Sequence, residues 1–508
     1  MGFPSDFGDA PALVLLWPVA LAALGLSAPA ARPAFVRGWM SGFAGMTAAL
    51  YWVTLPMAQV GGLPWFAAAG CTLFVTFCLS TACGLFSLAA HLCRAMHPFR
   101  MAVFLGLLWA ALEALYAVTA GFPWLPIAGA LAPWPVMIQA ADTCGAWGLG
   151  ALWTTASLLL FFALAGHPNT AKRPLAAGLA GLALTSALLG YGAFRLKACP
   201  FEDEPKGEGT MGVLFVEGNV DQNKKWSPAF QRQSVELYMR LTAEGLAARP
   251  DEKPLVIWPE TAMPFIFTRT PHLAELVKMT ARTNGCPLLF GAPDRAMPTP
   301  AEQRAGKQPP VYNRAILLDP EGRVSGHYDK QHLVPFGEYA PAWADFDFLA
   351  PLLQGVGIFS PGGRADALRQ DDIALGMLIC YEGIFPWLAR ERVESGANIL
   401  ADISNDGWFS TTPASRQHLY LTALRAVEEG RWILRGTNTG ISAVIDSCGR
   451  IVRHGPQFKT GTVYARARLN TETTRWHALS SWLMGATLLA ILLIPLAGRC
   501  RRNPDSTR

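Results

Sequence analysis

Three side chains in this 508-residue chain have the types needed for covalent acyl chemistry: two close apolar runs and the third follows a hairpin. Glu260 ends "LVIWPE", Lys330 sits in "HYDKQHLVPFGEY", and Cys380 ends "IALGMLIC". A thiol attacks only as its thiolate. A nearby carboxylate can take the proton as general base. A lysine ammonium can hold the thiolate and then the oxyanion of a tetrahedral intermediate. The product is a thioester, which a second nucleophile must resolve. The three residues are tens of positions apart, so only folding can assemble them. Taken singly, each has an ordinary alternative. An apolar-flanked cysteine is usually a small buried hydrophobe, and a strand-end glutamate or a loop lysine is usually solvated.

The elements that must position them lie between residues 205 and 470, where short apolar runs alternate with helical patterns. "MGVLFVEGNV" (211–220), "PLVIWPE" (254–260), "CPLLFGAP" (286–293), "DIALGMLICYE" (372–382) and "NILADISN" (398–405) suit buried strands. "AILLDPEGRVSGHY" and "AVIDSCGRIV" carry hairpin turns. Ser227-Pro228 and Thr270-Pro271 mark helix starts, Asn284-Gly285 a helix stop, and "SRQHLYLTALRAVEEGRW" has helical spacing. This pattern predicts one α/β domain with its chemistry at the carboxyl ends of strands.

The rest of the chain is apolar. Overall 51% of residues are hydrophobic and only 16% charged, well below the charge of a soluble protein. Stretches of about 20 apolar residues place six spans near 11–30, 34–56, 64–92, 101–120, 145–166 and 174–195, and a seventh near 478–498. Prolines break 121–140 into a re-entrant or interfacial segment. Arg32 and Arg37, Arg94 and Arg100, Lys172 and Arg173, and Arg499, Arg501 and Arg502 fall at alternate connections. The positive-inside rule then puts residues 205–470 on the outer face. Asp6 and Asp9, with no Lys or Arg before 11–30, argue against a cleaved signal. A scattered net charge of +5 gives no nucleic-acid footprint. The ten cysteines form no C-x-x-C pair and no zinc spacing.

"WPE" (258–260), "K-x-H-L-V-P-F-G-E" (330–338) and "C-Y-E" (380–382) together resemble the Glu-Lys-Cys signature of the nitrilase superfamily. "VEGNVDQNKKW" (216–226), "VYNRAILLDPEG" (311–322), "ISNDGWF" (403–409), the long stretch 417–446 and "GFPWLP" (121–126) extend the resemblance over nearly the whole chain. With the apolar segments, it is to the apolipoprotein N-acyltransferase family, the membrane-embedded branch of that superfamily. The resemblance implies an α-helical transmembrane bundle (1–197, completed by 478–498) and a periplasmic αββα sandwich (205–470) at the bacterial inner membrane. It implies that Cys380 takes an acyl chain from a phospholipid, typically phosphatidylethanolamine, in ping-pong fashion. The chain then passes to the α-amino group of an S-diacylglyceryl-cysteine at an apolipoprotein N-terminus. Glu260 is the implied base and Lys330 the oxyanion holder, with Glu338, Tyr381, Glu382, Trp226 and Asn313 in support. No metal or nucleotide cofactor is required, because the acyl ester already carries its leaving group. Members commonly have eight spans, and residues 2–24 resemble the second, so a first span is expected to be missing.

Other features carry two interpretations. Glu113, inside a span, is a functional candidate or a helix-packing hydrogen bond. Trp226 covers the site or anchors at the interface, and Asn313 fixes a loop. Asp402, Asn405 and Asp406 are expected to shape a strand end. His327, His332 and His418 are expected to be solvated or core residues, and Cys286 and Cys448 buried or turn residues. Residues 339–360 expose Trp343, Phe346, Phe348 and Leu349 and are expected to form a lipid-touching lid. Two other functions fit parts of the pattern: a membrane-tethered amidase with the same triad, and a transporter or scaffold whose outer domain only binds.

Overall fold

The computed structural model describes residues 2–6, 8–168, 174–221, 225–296, 304, 308–340 and 359–499. The chain divides into two compact units. One comprises Met1–Thr54, Phe66–Pro200 and Thr473–Arg508, the other Leu55–Trp65 and Phe201–Glu472.

The first unit is helical. Among the described residues, five helices are long and apolar enough to cross a membrane: Trp65–Leu92, Pro98–Thr119, Ala141–Ala165, Leu175–Ala198 and Arg475–Leu493. Pro11–Leu26 is apolar but shorter, and Ala31–Leu50 carries Arg32 and Arg37. Segment 121–140 forms only a one-turn helix, Ile127–Leu131, and a 3-10 turn, Pro135–Met137. Glu113 explains how that broken segment is held. Its Oε1 accepts from Trp109 Nε1 at 2.7 Å and from the Ile127 N–H at 2.9 Å, so it ties the segment to a long helix. Packing is therefore the role that its contacts describe.

The second unit is an αββα sandwich of two six-stranded sheets. The first sheet contains β1 (Thr210–Glu217), β2 (Leu255–Ile257), β3 (Leu288–Arg295), β4 (Val311–Leu318), β5 (Val324–Asp329) and, at its edge beside β1, β12 (Gly461–Arg468). The second contains β6 (Leu368–Gln370), β7 (Ile373–Ile379), β8 (Ile399–Ser404), β9 (Ile433–Thr437), β10 (Ala443–Ile445) and β11 (Ile451–His454). Each sheet has three parallel strands, β1-β2-β3 and β7-β8-β9, flanked by antiparallel ones. Helices α1 (Pro228–Ala247) and α2 (Pro271–Asn284) cover the first sheet. Helices α3 (Pro386–Glu394) and α4 (Ala414–Glu429) belong with the second.

The continuous apolar runs follow from this layering, because a strand buried on both faces cannot alternate with polar residues. In β1, Met211, Val213 and Phe215 enter the core between the sheets, while Leu214 and Val216 pack under the helices. The D-P-E-G turn joins β4 to β5 and the D-S-C-G turn joins β10 to β11, as the pattern predicts. Pro228 and Pro271 open their helices, but neither Ser227 nor Thr270 makes a side-chain cap. Gly285, at φ 59°, closes α2 in the left-handed conformation that glycine adopts without penalty. Cys286 and Cys448 are buried.

Candidate active site

Glu260, Lys330 and Cys380 each follow a strand, and the two sheets contribute different ones. Glu260 follows β2 in a turn where Thr261 holds φ 46°. Lys330 directly follows β5, and its N–H donates to the Asn313 carbonyl on β4 at 2.9 Å. Cys380 directly follows β7 and opens a 3-10 turn, Cys380–Ile384. Its φ of 56° is left-handed, at a cost of about 1–3 kcal/mol for a residue with a side chain.

Folding brings Glu260, Lys330, Glu338 and Asn313 into direct contact. Lys330 Nζ, 1% exposed, lies 2.9 Å from Glu338 Oε2 and 3.5 Å from Glu260 Oε1. Asn313 Nδ2 donates to Glu260 Oε1 and to Glu338 Oε1, each at 2.7 Å. Asn313 thus touches both carboxylates, which is more than fixing a loop. The Val334 N–H donates to Glu338 Oε2 at 2.8 Å and turns that carboxylate toward the lysine. Two carboxyl groups around one amine fit Lys330 as a permanent ammonium. Burial works against its charge, but Glu338, Glu260 and the neighbouring thiol outweigh it and raise its pKa.

Cys380 is buried, and burial together with the Glu260 charge pushes its thiol well above its usual range, although Lys330 pulls it down. The resting sulfur is therefore a thiol, and its proton must leave when substrate is present. Glu260 is the carboxylate whose charge it feels most. Proton transfer from thiol to carboxylate leaves the net charge of the buried cluster unchanged, which avoids a desolvation penalty. A direct consequence can be measured. Alkylation of Cys380 by iodoacetamide, followed on its own peptide by mass spectrometry, should accelerate with pH from about 6 to 10 without a neutral plateau, because the thiolate fraction keeps growing below a raised pKa.

Glu382 joins the two loops. Its Oε1 accepts from the N–H groups of Gln331 at 2.7 Å and His332 at 2.9 Å, and its Oε2 from the Ile379 N–H at 2.8 Å. The Tyr328 hydroxyl adds contacts of 2.9 and 3.0 Å to the two oxygens. One carboxyl group therefore pins the cysteine turn to the lysine loop. Burial pushes it up to about 7 against these donors and Lys330. Tyr381 packs edge-on against Phe385, at 5.0 Å between ring centroids, and Phe385 lies 4.2 Å from His332. Trp226 is 43% exposed and has Lys225 at 5.3 Å from its ring. Of the expected lid, residues 341–358 lie outside the described residues.

Several site residues escape the sequence patterns. Lys225 is only 2% exposed, donates to Thr261 Oγ1 at 2.5 Å, and feels the charges of Glu260 and Cys380. Burial lowers its pKa to about 8. In "QNKKW" it reads as solvated, and nothing local marks it. Arg435, by contrast, is an arginine inside an apolar strand, which is itself a signal of a buried ion pair. It bonds Asp402 and, at 3.1 Å, Asp406 beneath the cysteine turn.

Gly291 on β3 explains how Glu260 is placed. A Cβ there would come within 2.5 Å of the Thr261 nitrogen and 2.7 Å of the Glu260 Cα. We expect Gly291→Ala to lower the melting temperature by the equivalent of about 1–3 kcal/mol. By displacing Glu260 it should also slow acyl-enzyme formation by about 10²-fold. Melting curves and single-turnover rates would check both effects.

The αββα sandwich, with a carboxylate, a lysine and a cysteine at its strand ends, is a carbon-nitrogen hydrolase domain of nitrilase fold. The carbon-nitrogen hydrolase family model matches residues 221–475, and a model of the apolipoprotein N-acyltransferase N-terminal domain matches residues 3–159. An apolipoprotein N-acyltransferase of Geobacter metallireducens is 34% identical, over 97% of this chain and 92% of its own length. One from Allorhizobium ampelinum is 34% identical, over 93% of this chain and 87% of its own length. The crystal structure of a carbon-nitrogen hydrolase from Helicobacter pylori superposes with a TM-score of 0.39 at 16% identity, covering 58% of this chain and 96% of that one. The chain belongs to the apolipoprotein N-acyltransferase family. It is an acyltransferase enzyme, and the membrane-tethered amidase is not the favoured alternative.

Proposed function

We propose that this protein N-acylates lipoproteins in two half-reactions on one sulfur, with 205–470 as the catalytic part and 1–197 and 478–498 as its membrane part. In the first, Glu260 takes the Cys380 proton and the sulfur attacks an acyl ester of a membrane phospholipid. Lys330 stabilises the oxyanion. The carbon–oxygen bond breaks, Glu260 returns the proton to the leaving alkoxide, and a lysophospholipid departs. In the second, the α-amine of an S-diacylglyceryl-cysteine attacks the thioester and Glu260 takes the amine proton. The carbon–sulfur bond breaks, and the proton returns to sulfur. Glu338 and Asn313 hold Lys330 and Glu260 in register, Glu382 fixes the cysteine turn, and Tyr381 and Trp226 line the approach. Phosphatidylethanolamine is the proposed donor, and the outer, periplasmic face of the inner membrane is the proposed location, on the alternation of basic residues at span ends.

The observation that carries this proposal is the buried contact of Lys330 with both Glu260 and Glu338 beside Cys380, in a chain whose relatives match it over nearly its whole length. Membrane attachment has a physical reason. Each buried methylene holds an acyl chain in lipid by about 0.8 kcal/mol, so the enzyme must go to its substrates. The test is a chase on the reconstituted protein. Labelled phospholipid should load Cys380, and a diacylglyceryl-cysteine peptide should discharge it at least tenfold faster than water does. Equal discharge by water would make the protein a hydrolase.

A further inference from the structure

We propose that His418 is a positioning residue, which holds the nucleophile's turn in its left-handed conformation through a hydrogen bond to the Cys380 carbonyl. His418 lies on α4 and is fully buried. Its Nε2 is 3.1 Å from the Cys380 carbonyl oxygen, and its Nδ1 is 3.0 Å from an Arg435 guanidinium nitrogen. A carbonyl oxygen only accepts, so Nε2 carries a proton and donates it to the Cys380 backbone. Asp406 Oδ1 lies 3.3 Å from Nδ1 as well and is itself ion-paired with Arg435.

Arg435 is itself fixed. Its guanidinium is ion-paired with Asp402 and Asp406, and all three groups are buried. Burial disfavours the arginine charge, but the two aspartates and the thiol raise its pKa, so it stays a donor throughout the reaction. The ring is anchored from its backbone as well, since Thr422 Oγ1 donates to the His418 carbonyl at 3.0 Å. The chain of contacts runs from a doubly paired arginine, through the buried imidazole, to the backbone of the nucleophile. Strand-end geometry alone would not need it. A cysteine at φ 56° relaxes toward ordinary backbone unless neighbouring groups hold it, and that relaxation would turn Sγ away from Glu260 and Lys330.

This inference rests on Cys380 as the nucleophile, a premise that Cys380→Ala tests separately through loss of the acyl adduct. The positioning role is tested with two amides of different reach in the full-length enzyme. His418→Gln can place its amide nitrogen where Nε2 lies. His418→Asn keeps a polar group opposite Arg435 but is too short to reach the Cys380 carbonyl. We expect His418→Asn to lower kcat for acylation by about 10²-fold with KM for phospholipid nearly unchanged, as for a misplaced reacting group. His418→Gln should recover most of the rate, and melting temperatures should confirm that both are folded. Equal rates in the two folded variants, or a wild-type rate in His418→Asn, would overturn the proposal. If His418→Asn does not fold, a folded His418→Gln with near wild-type kcat supports it and one with a 10²-fold loss overturns it. Failure of both to fold also overturns it, because His418 would then serve the fold alone.

Discussion

Cys380→Ala should abolish the acyl-enzyme and lower turnover by about 10⁵-fold or more, the scale of loss when a catalytic nucleophile is removed. The variant should nevertheless fold. The side chain is small, it lies at the margin of the inter-sheet core, and alanine tolerates a left-handed φ no worse than cysteine does. The measurement is mass spectrometry of intact protein after exposure to phospholipid, alongside a melting curve. Wild type should gain one acyl mass that hydroxylamine removes, and the variant should gain none. A folded variant that still acquires a hydroxylamine-sensitive acyl group would place the nucleophile elsewhere.

Lys330→Met should have the next largest effect, and it separates two contributions. The methionine fills much of the lysine's volume but removes the ammonium, so Glu338 and Glu260 lose their shared cation. Breaking a buried pair in this way costs about 3–5 kcal/mol, and the melting temperature should fall accordingly. Loss of the oxyanion's main positive charge should lower kcat by about 10²–10³-fold. The combined variant Lys330→Met with Glu338→Gln should regain part of the stability, because one of the uncompensated carboxylates is gone, but none of the activity. Stability is read by thermal unfolding and activity by single-turnover acylation. Parallel recovery of both quantities would mean that Lys330 is structural.

Much of the catalytic centre is legible in the sequence because Glu260 and Cys380 follow strands that are buried on both faces, and such strands announce themselves as apolar runs. Lys330 is found by the hairpin it follows, since β5 is largely exposed, and the D-P-E-G and D-S-C-G turns fix two hairpins from local chemistry alone. Two strands are harder to see. β6, of three residues, and β9, where Arg435 interrupts the apolar pattern, depend on pairing with distant neighbours. Lys225 and His418 are equally hidden. Their burial is a property of the assembled sandwich, and a lysine beside another lysine or a histidine on a helix carries no mark of it. The resting state of the sulfur also depends on assembly. Sequence can put an acid, an amine and a thiol in one place, but the balance among burial, the Glu260 charge and the Lys330 charge decides where the proton rests.

The division of the site between the two sheets has a consequence for how this enzyme comes into being. Glu260, Asn313, Lys330 and Glu338 are delivered by one half of the sandwich and Cys380 and Glu382 by the other, so neither half can perform a fraction of the reaction during synthesis. A nascent chain stays chemically silent toward the lipids around it until the last strands close, and the gain of acyl-transfer competence reports completed docking of the two layers.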